Sequence, residues 1–316
     1  MPDPVVVLEA VTKRYAGHTA VRGLSLAVAP GSVCGLLGPN GAGKTTTMRM
    51  IMNIIAPDEG VVRLFGERWD SRNLSARIGY LPEERGLYKK MKVLEVLVFL
   101  AETKGIARRT AKQRAAEWLE RMGLADWSLK KVDDLSKGMQ QKVQFIATVL
   151  HDPTLLILDE PFSGLDPVNS QIMKDTVLEL ARQGATVLFS THIMEQAEKL
   201  CDSVCIIAHG ETVVDGPLAE VKRRHGGHHV IVAVERGSQA VDQVWADRSL
   251  VAKAHNYGQY AEVELADGAD PQRLLTTILE AGARISRFEV TEATLNQVFI
   301  DLVGPDAARP AARGEA

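Results

Sequence analysis

The sequence predicts an α/β protein: a parallel sheet sheathed in helices, followed by a smaller α+β domain. Two observations carry the parallel sheet. Val33–Leu37 is a continuous apolar run that ends at Gly38 and is followed by a helical pattern from Gly43 to about Asn53, the first half of a βαβ unit. Leu155–Leu158 and Ala185–Phe189 are further unbroken apolar runs, and strands buried on both faces belong in parallel sheets covered by helices. A third observation carries the second domain. After the glycine–histidine stretch His225–Gly226–Gly227–His228, read as a linker, strand and helix patterns start afresh.

In chain order, Val5–Glu9 and Leu24–Val28 read as short strands separated by the polar turn Ala16–Gly17–His18. From Met91 to about Gly123 the pattern is helical and highly charged, resuming as a helix after Leu135. Between Leu165 and Gly184, Met173, Val177, Leu180 and Ala181 fall on one helical face, with Gly184 as the stop. In the second domain, His229–Val234, Ala261–Leu265 and Ile285–Val290 read as strands, and Pro271–Ala281 and Glu292–Leu302 as helices. Residues 304–316, rich in Ala, Arg, Pro and Gly, read as a disordered tail.

A chain of 316 residues exceeds one average domain, and 46% hydrophobic with 24% charged residues is ordinary for a soluble protein. The formal net charge of -3 argues against a nucleic-acid partner. No apolar stretch reaches the roughly 18 residues of a spanning helix, and the N-terminus has no basic-then-apolar leader pattern. Cys34, Cys201 and Cys205 make no disulfide framework. Cys34 and Cys205 sit in apolar runs as small buried hydrophobes, which fits a reducing, cytoplasmic setting. His225, His228 and His229 have a spacing that could hold a metal, but with no Cys or acid beside them they read as a solvated linker.

The chemistry concentrates in three segments. Gly38–Pro39–Asn40–Gly41–Ala42–Gly43–Lys44–Thr45 fits a phosphate-binding loop, flanked by strand and helix as such a loop requires. Its glycines let backbone N–H groups wrap around phosphates, and the next helix offers its positive end. Lys44 would supply a point charge to the β- and γ-phosphates, and Thr45 a hydroxyl to Mg²⁺. In Leu155–Pro161, a strand carries Asp159 to the edge of the sheet where ligands bind. There Asp159 would hold Mg²⁺ through water, and Glu160 would polarise an attacking water as general base. Leu135–Gln141 starts a helix that Ser136 can cap, with Gly138 beside it. A capped helix start is a second phosphate-binding surface. It cannot serve the nucleotide already surrounded by its own loop, so it makes sense across a dimer.

These motifs, in this order, resemble the nucleotide-binding domains of ABC transporters. The resemblance implies a P-loop ATPase cassette over residues 1–222, with a parallel sheet core, an antiparallel β subdomain and a helical subdomain at about 87–150. An accessory α+β domain would follow at 228–303. It further implies ATP and Mg²⁺ as ligands, with Thr46 beside Thr45 at the phosphates and Tyr15 stacked on adenine. Ser136 and Gly138 would close on the partner's γ-phosphate. Asp166, in Ser163–Gly164–Leu165–Asp166, would communicate across the dimer, and His192 would contact γ-phosphate as a switch. A homodimer or heterodimer of such subunits would dock on a separate transmembrane permease at the inner face of the cell membrane. Residues 82–88 and 288–299 resemble the bacterial sodium-efflux and drug-export type with a short C-terminal extension, implying export.

Two positions depart from the family pattern. Lys137 stands where the signature usually has glycine, and Glu83 where the family usually has a Mg²⁺-sensing glutamine, a carboxylate that could still ligate the ion. The competing reading is a non-transport ATPase of the same family, acting on ribosomes or DNA. The chain has one cassette, whereas ribosome-acting relatives usually join two. The gap from Lys44 to Asp159 lacks the long heptads of DNA-repair relatives. A phosphate-loop kinase or GTPase would not need the Ser136–Gly138 and His192 motifs.

Overall fold

The computed structural model describes residues 3–68, 72–84, 86–225, 228–236, 238–266 and 268–304. The expected disordered tail therefore lies outside the described residues, Gly304 apart. The chain forms two compact units, Met1–Gly216 and Pro217–Gly304.

The first unit opens with a long hairpin, β1 (Val6–Tyr15) and β2 (His18–Val28), then β3 (Val33–Leu37) and α1 (Lys44–Ile51). There follow β4 (Glu59–Leu64), β5 (Glu67–Arg68) and β6 (Ile78–Leu81). Three helices come next, α2 (Val93–Thr103), α3 (Arg108–Arg121) and α4 (Lys137–Val149). The unit closes with β7 (Leu155–Asp159), α5 (Pro167–Arg182), β8 (Thr186–Thr191), α6 (Met194–Leu200), β9 (Ser203–Ala208) and β10 (Glu211–Pro217).

Two sheets result. One is antiparallel in the order β2-β1-β4-β5. The other runs β10-β9-β3-β8-β7-β6, with β9, β3, β8, β7 and β6 mutually parallel. Strands β3, β7 and β8 are buried at every residue, as unbroken apolar runs require when both sheet faces are covered. Leu36, Met48, Ile51, Ile157 and Leu188 meet in the core that joins the two sheets. Cys34 and Cys205 are buried as expected, and all three thiols are free.

The hairpin corrects the expected short strands: β1 and β2 extend to Tyr15 and His18, leaving a turn of Ala16 and Gly17. Register shifts between Leu8 and Arg14 interrupt the alternation that would have announced the outer half. The charged stretch from Met91 is two helices, because the chain turns out of helix between Thr103 and Arg108. Helices α4 and α5 start at side-chain caps. Ser136 Oγ accepts from Met139 N and Asp166 Oδ1 from Asn169 N, and Pro167 opens α5 where its missing N–H costs nothing.

The second unit contains α7 (Leu218–His225), β11 (His228–Arg236), α8 (Ser238–Ala246), β12 (Val251–Asn256), β13 (Ala261–Leu265), α9 (Pro271–Glu280), β14 (Arg284–Glu292) and α10 (Leu295–Val303). Its sheet is antiparallel, in the order β12-β13-β11-β14. Val230, Val232, Val251, Val263, Leu274 and Ile278 form its own core. The solvated-linker reading of the histidines is corrected here. His225 ends α7, while His228 and His229 lie on β11, and His229 is buried opposite Glu264. Residues 226–227 lie outside the described residues.

Candidate functional site

The loop between β3 and α1 is built on glycine. Gly38 and Gly43 have φ of 153° and 107°, and a Cβ would stand 2.2 Å from the Ile207 carbonyl oxygen at Gly38 and 2.5 Å from that of Ala20 at Gly43. A side chain at either position would push the loop off the strands that support it. Helix α1 begins at Lys44 with no side-chain cap and no acid in its first turn, so its free N–H groups and positive end face the loop.

A cavity of about 390 Å³ opens above this loop. Tyr15, Asn40, Gly41, Gly43, Lys44, Thr45, Thr46, Glu83 and Glu160 line it, together with His18 and Ala20. Four segments far apart in sequence thus converge: the hairpin end, the glycine loop, the turn after β6 and the turn after β7. Gly38, Pro39 and Ala42 belong to the loop without lining the cavity.

Lys44 is 6% exposed. Its Nζ donates to the carbonyl oxygens of Gly38 at 2.8 Å and Pro39 at 3.1 Å, and lies 3.8 Å from Glu160 Oε1. Burial pushes the ammonium's pKa below its ordinary value, against the pull of Glu160, Asp159 and Glu83, which favour the charged form.

The acids at the end of β7 are positioned from β8. Asp159 is fully buried, and Ser190 Oγ donates to its Oδ1 at 2.5 Å while accepting from Glu160 N at 3.0 Å. Glu160 has a φ of 47°, a left-handed conformation that a non-glycine residue adopts at some cost. Its carboxylate also meets His192, whose Nδ1 is 2.9 Å from Oε1. Asp159 Oδ2 has no hydrogen-bond partner among the described residues, although it is buried.

A buried carboxylate oxygen left over, with the Thr45 hydroxyl and the Glu83 carboxylate in the cavity wall, makes a set of hard oxygen donors that fits Mg²⁺.

Helix α4 braces these turns. Gln141 Nε2 donates to Pro161 O at 3.0 Å, and Gln144 Nε2 to Pro82 O at 3.2 Å and Glu84 O at 3.1 Å. The carbonyls on either side of Glu83 are thereby fixed to one buried amide. Ser136, Gly138 and Asp166 are not among the residues that line the cavity. They gather elsewhere: a Cβ on Gly138 would meet Gly164 O and Leu165 at 3.5 Å, and Lys142 of α4 donates to Asn169 Oδ1, the residue capped by Asp166.

Sequence reasoning missed His18, Ala20, Ser190 and Gln144. His18 was findable, since it pairs with Tyr15 across the hairpin. Ser190 and Gln144 act through backbone and buried partners that no local pattern announces.

The pattern of the ABC transporter family matches residues 21–163, and that of the DrrA1-3-like ATP-binding protein C-terminal domain matches residues 216–303. YhaQ, an ABC transporter ATP-binding protein of Bacillus subtilis, is 43% identical over 307 residues, covering 95% of this chain and 99% of the relative. The chain belongs to the ABC transporter ATP-binding family. It is an ABC ATPase, and its fold is that of the cassette. The linearmycin resistance ATP-binding protein LnrL of Bacillus subtilis is 35% identical, with 94% of this chain and 97% of LnrL covered. Among solved structures, an ATP-binding subunit of an ABC transporter aligns with a TM-score of 0.65 and 30% identity, over 70% of this chain and 92% of that one. Among the described residues, no helix is long and apolar enough to cross a membrane.

Proposed function

We propose that this cassette binds ATP with Mg²⁺ in the cavity above the glycine loop and hydrolyses it between two copies, to power export through a separate transmembrane permease. Working at the inner face of the membrane, on the cytoplasmic side, follows from that role. The observation that carries the reading is the convergence of Lys44, Thr45 and Glu160 on one cavity that Ser136 and Gly138 do not reach. A phosphate-binding helix start left out of its own site is useful to a neighbour's nucleotide.

In this reading Tyr15 stacks on the base, and the amides of residues 38–46 with Lys44 hold the phosphates. Thr45, Asp159 and Glu83 hold Mg²⁺, which would neutralise phosphate charge when bound. Glu160 takes the proton of the attacking water. His192, fixed on the Glu160 carboxylate, orients that base and reaches the terminal phosphate. Ser136 and Gly138 of a second copy complete the site, and Asp166 joins the two halves. Hydrolysis then shifts the population from closed to open dimers and moves the permease. The name of LnrL, a resistance protein, supports export.

The test uses two variants of the full chain. Glu160→Gln is expected to keep ATP binding and ATP-dependent dimerisation while losing turnover. Lys44→Ala is expected to lose ATP affinity. Full hydrolysis by the first variant would remove Glu160 as base, and unchanged binding by the second would remove the glycine loop as the phosphate site. Affinity purification from membranes is expected to bring down a chain with several hydrophobic spans of about 20 residues.

A further inference from the structure

The carboxylate of Glu83 has a consequence for which form of the nucleotide can enter, an inference that rests on the nucleotide reading above. Among the described residues lining the cavity, Lys44 is the one lysine or arginine, and it faces three acids: Glu83 and Glu160 in the wall, and the buried Asp159. With histidine neutral, the formal charge of this group is therefore negative before any phosphate arrives. The positive end of α1 amounts to about half a charge, less than the carboxylates in excess. A metal-free triphosphate brings about four more negative charges into the same space. A second observation points the same way: Asp159 Oδ2 is buried without a hydrogen-bond partner among the described residues, an acceptor suited to a cation.

Of the three acids, Glu83 is the one whose carboxylate makes no hydrogen bond or close ion pair among the described residues, its field reaching Lys44 only through space. Asp159 is bonded to Ser190, and Glu160 is bonded to His192 and lies near Lys44. Glu83 is exposed to the cavity, held in place through its neighbours' carbonyls by Gln144. Its backbone is positioned, and its carboxylate oxygens are kept for the ligand.

We propose that Glu83 makes this site selective for the metal complex of the nucleotide: the cavity admits ATP with its divalent cation and repels the metal-free tetra-anion. A neutral amide at the same position would keep an oxygen donor for the cation but lose the repulsion. The chain would thus refuse uncomplexed nucleotide at binding rather than wait for the metal afterwards.

Equilibrium binding of the β,γ-imido analogue of ATP to the full chain tests this, once in excess Mg²⁺ and once in EDTA. In the wild type the dissociation constant is expected to rise on the order of 100-fold in EDTA. Removing one like charge from a partly solvated site is worth about tenfold, so Glu83→Gln should lower that ratio about tenfold, mainly by tighter binding in EDTA. Glu83→Asp keeps the charge and should keep most of the ratio. Glu83 packs into no core, so these variants leave the fold intact. A ratio equal in wild type and Glu83→Gln, with both binding the analogue in Mg²⁺, overturns the inference and leaves the nucleotide site standing. No binding by the wild type even in Mg²⁺ overturns both.

Discussion

His192 Nδ1 sits 2.9 Å from Glu160 Oε1, so the histidine at the end of β8 and the acid at the end of β7 form one unit. Lys44 Nζ lies 3.8 Å from the same oxygen. One carboxylate oxygen thus receives the imidazole and faces the ammonium. If Glu160 is the general base proposed above, it is oriented before substrate arrives, which is where such a base gains most. His192→Ala should therefore leave ATP affinity within about twofold while kcat falls on the order of 10² or more. Steady-state hydrolysis beside equilibrium ATP binding separates the two. Turnover near wild type would detach the histidine from the chemistry.

Ser190 does for Asp159 and Glu160 together what no residue adjacent to them does. Its hydroxyl donates to Asp159 Oδ1 and accepts the Glu160 amide, all within the buried sheet. Ser190→Ala strands both groups in the interior. Leaving a buried polar group unsatisfied costs about 1–3 kcal/mol, and in a unit of this size each kcal/mol lowers Tm by roughly 2–4 °C. A drop of several degrees by calorimetry, with slower hydrolysis, is the expected result. An unchanged Tm would mean that the hydroxyl is replaceable by solvent.

The helix that starts at Ser136 and the one capped by Asp166 are tied by a hydrogen bond, Lys142 Nζ to Asn169 Oδ1 at 2.9 Å. Lys142 is buried, and that burial pushes its pKa below the ordinary lysine value, opposed by Asp166. Asn169→Ala should loosen the pairing of the signature turn with the Ser163–Asp166 loop without touching the cavity. In a Glu160→Gln background, ATP-dependent dimerisation is expected to weaken about tenfold, roughly the worth of a hydrogen bond to a charged group. Nucleotide affinity of the monomer should stay within about twofold. Sedimentation with and without ATP reads the difference, and equal dimer affinities would dissociate this contact from the interface.

What the sequence made legible follows burial. Strands β3, β7 and β8 are covered on both faces, so their middles had to be apolar, and VCGLL, LLIL and VLF declare themselves. The glycine loop is as plain, because its backbone excludes side chains at Gly38 and Gly43. Strand β6 has only four residues, one of them a glycine, and β12 reads VAKAHN, too polar to stand out. Helix α8 was passed over in the same way. The braces of the site, Ser190 and Gln144, were invisible because their partners lie 31 and about 60 residues away. His229 was misjudged since its burial depends on strand pairing with Glu264, which histidine spacing does not report.

Away from the site, His151 links stability to pH. The ring is buried between α4 and β7, its Nε2 within 3.1 Å of Ile78 O and its Nδ1 without a hydrogen-bond partner among the described residues. Burial lowers its pKa below the ordinary 6.5, with Lys104 adding to the effect and the Ile78 carbonyl and Asp152 opposing it. The unfolded chain therefore binds a proton on this histidine at a pH where the folded chain does not. Stability rises with pH wherever the unfolded state holds more protons. The contribution of the neutral ring is complete above the unfolded value and declines as the pH falls below it. His151→Gln removes the titration and also some packing, so it should be less stable than wild type at pH 7.5, by a margin that narrows by pH 5.5. Urea midpoints at the two pH values measure that margin. A margin that stays constant, or widens in acid, would show that the folded protein accepts the proton as readily as the unfolded one.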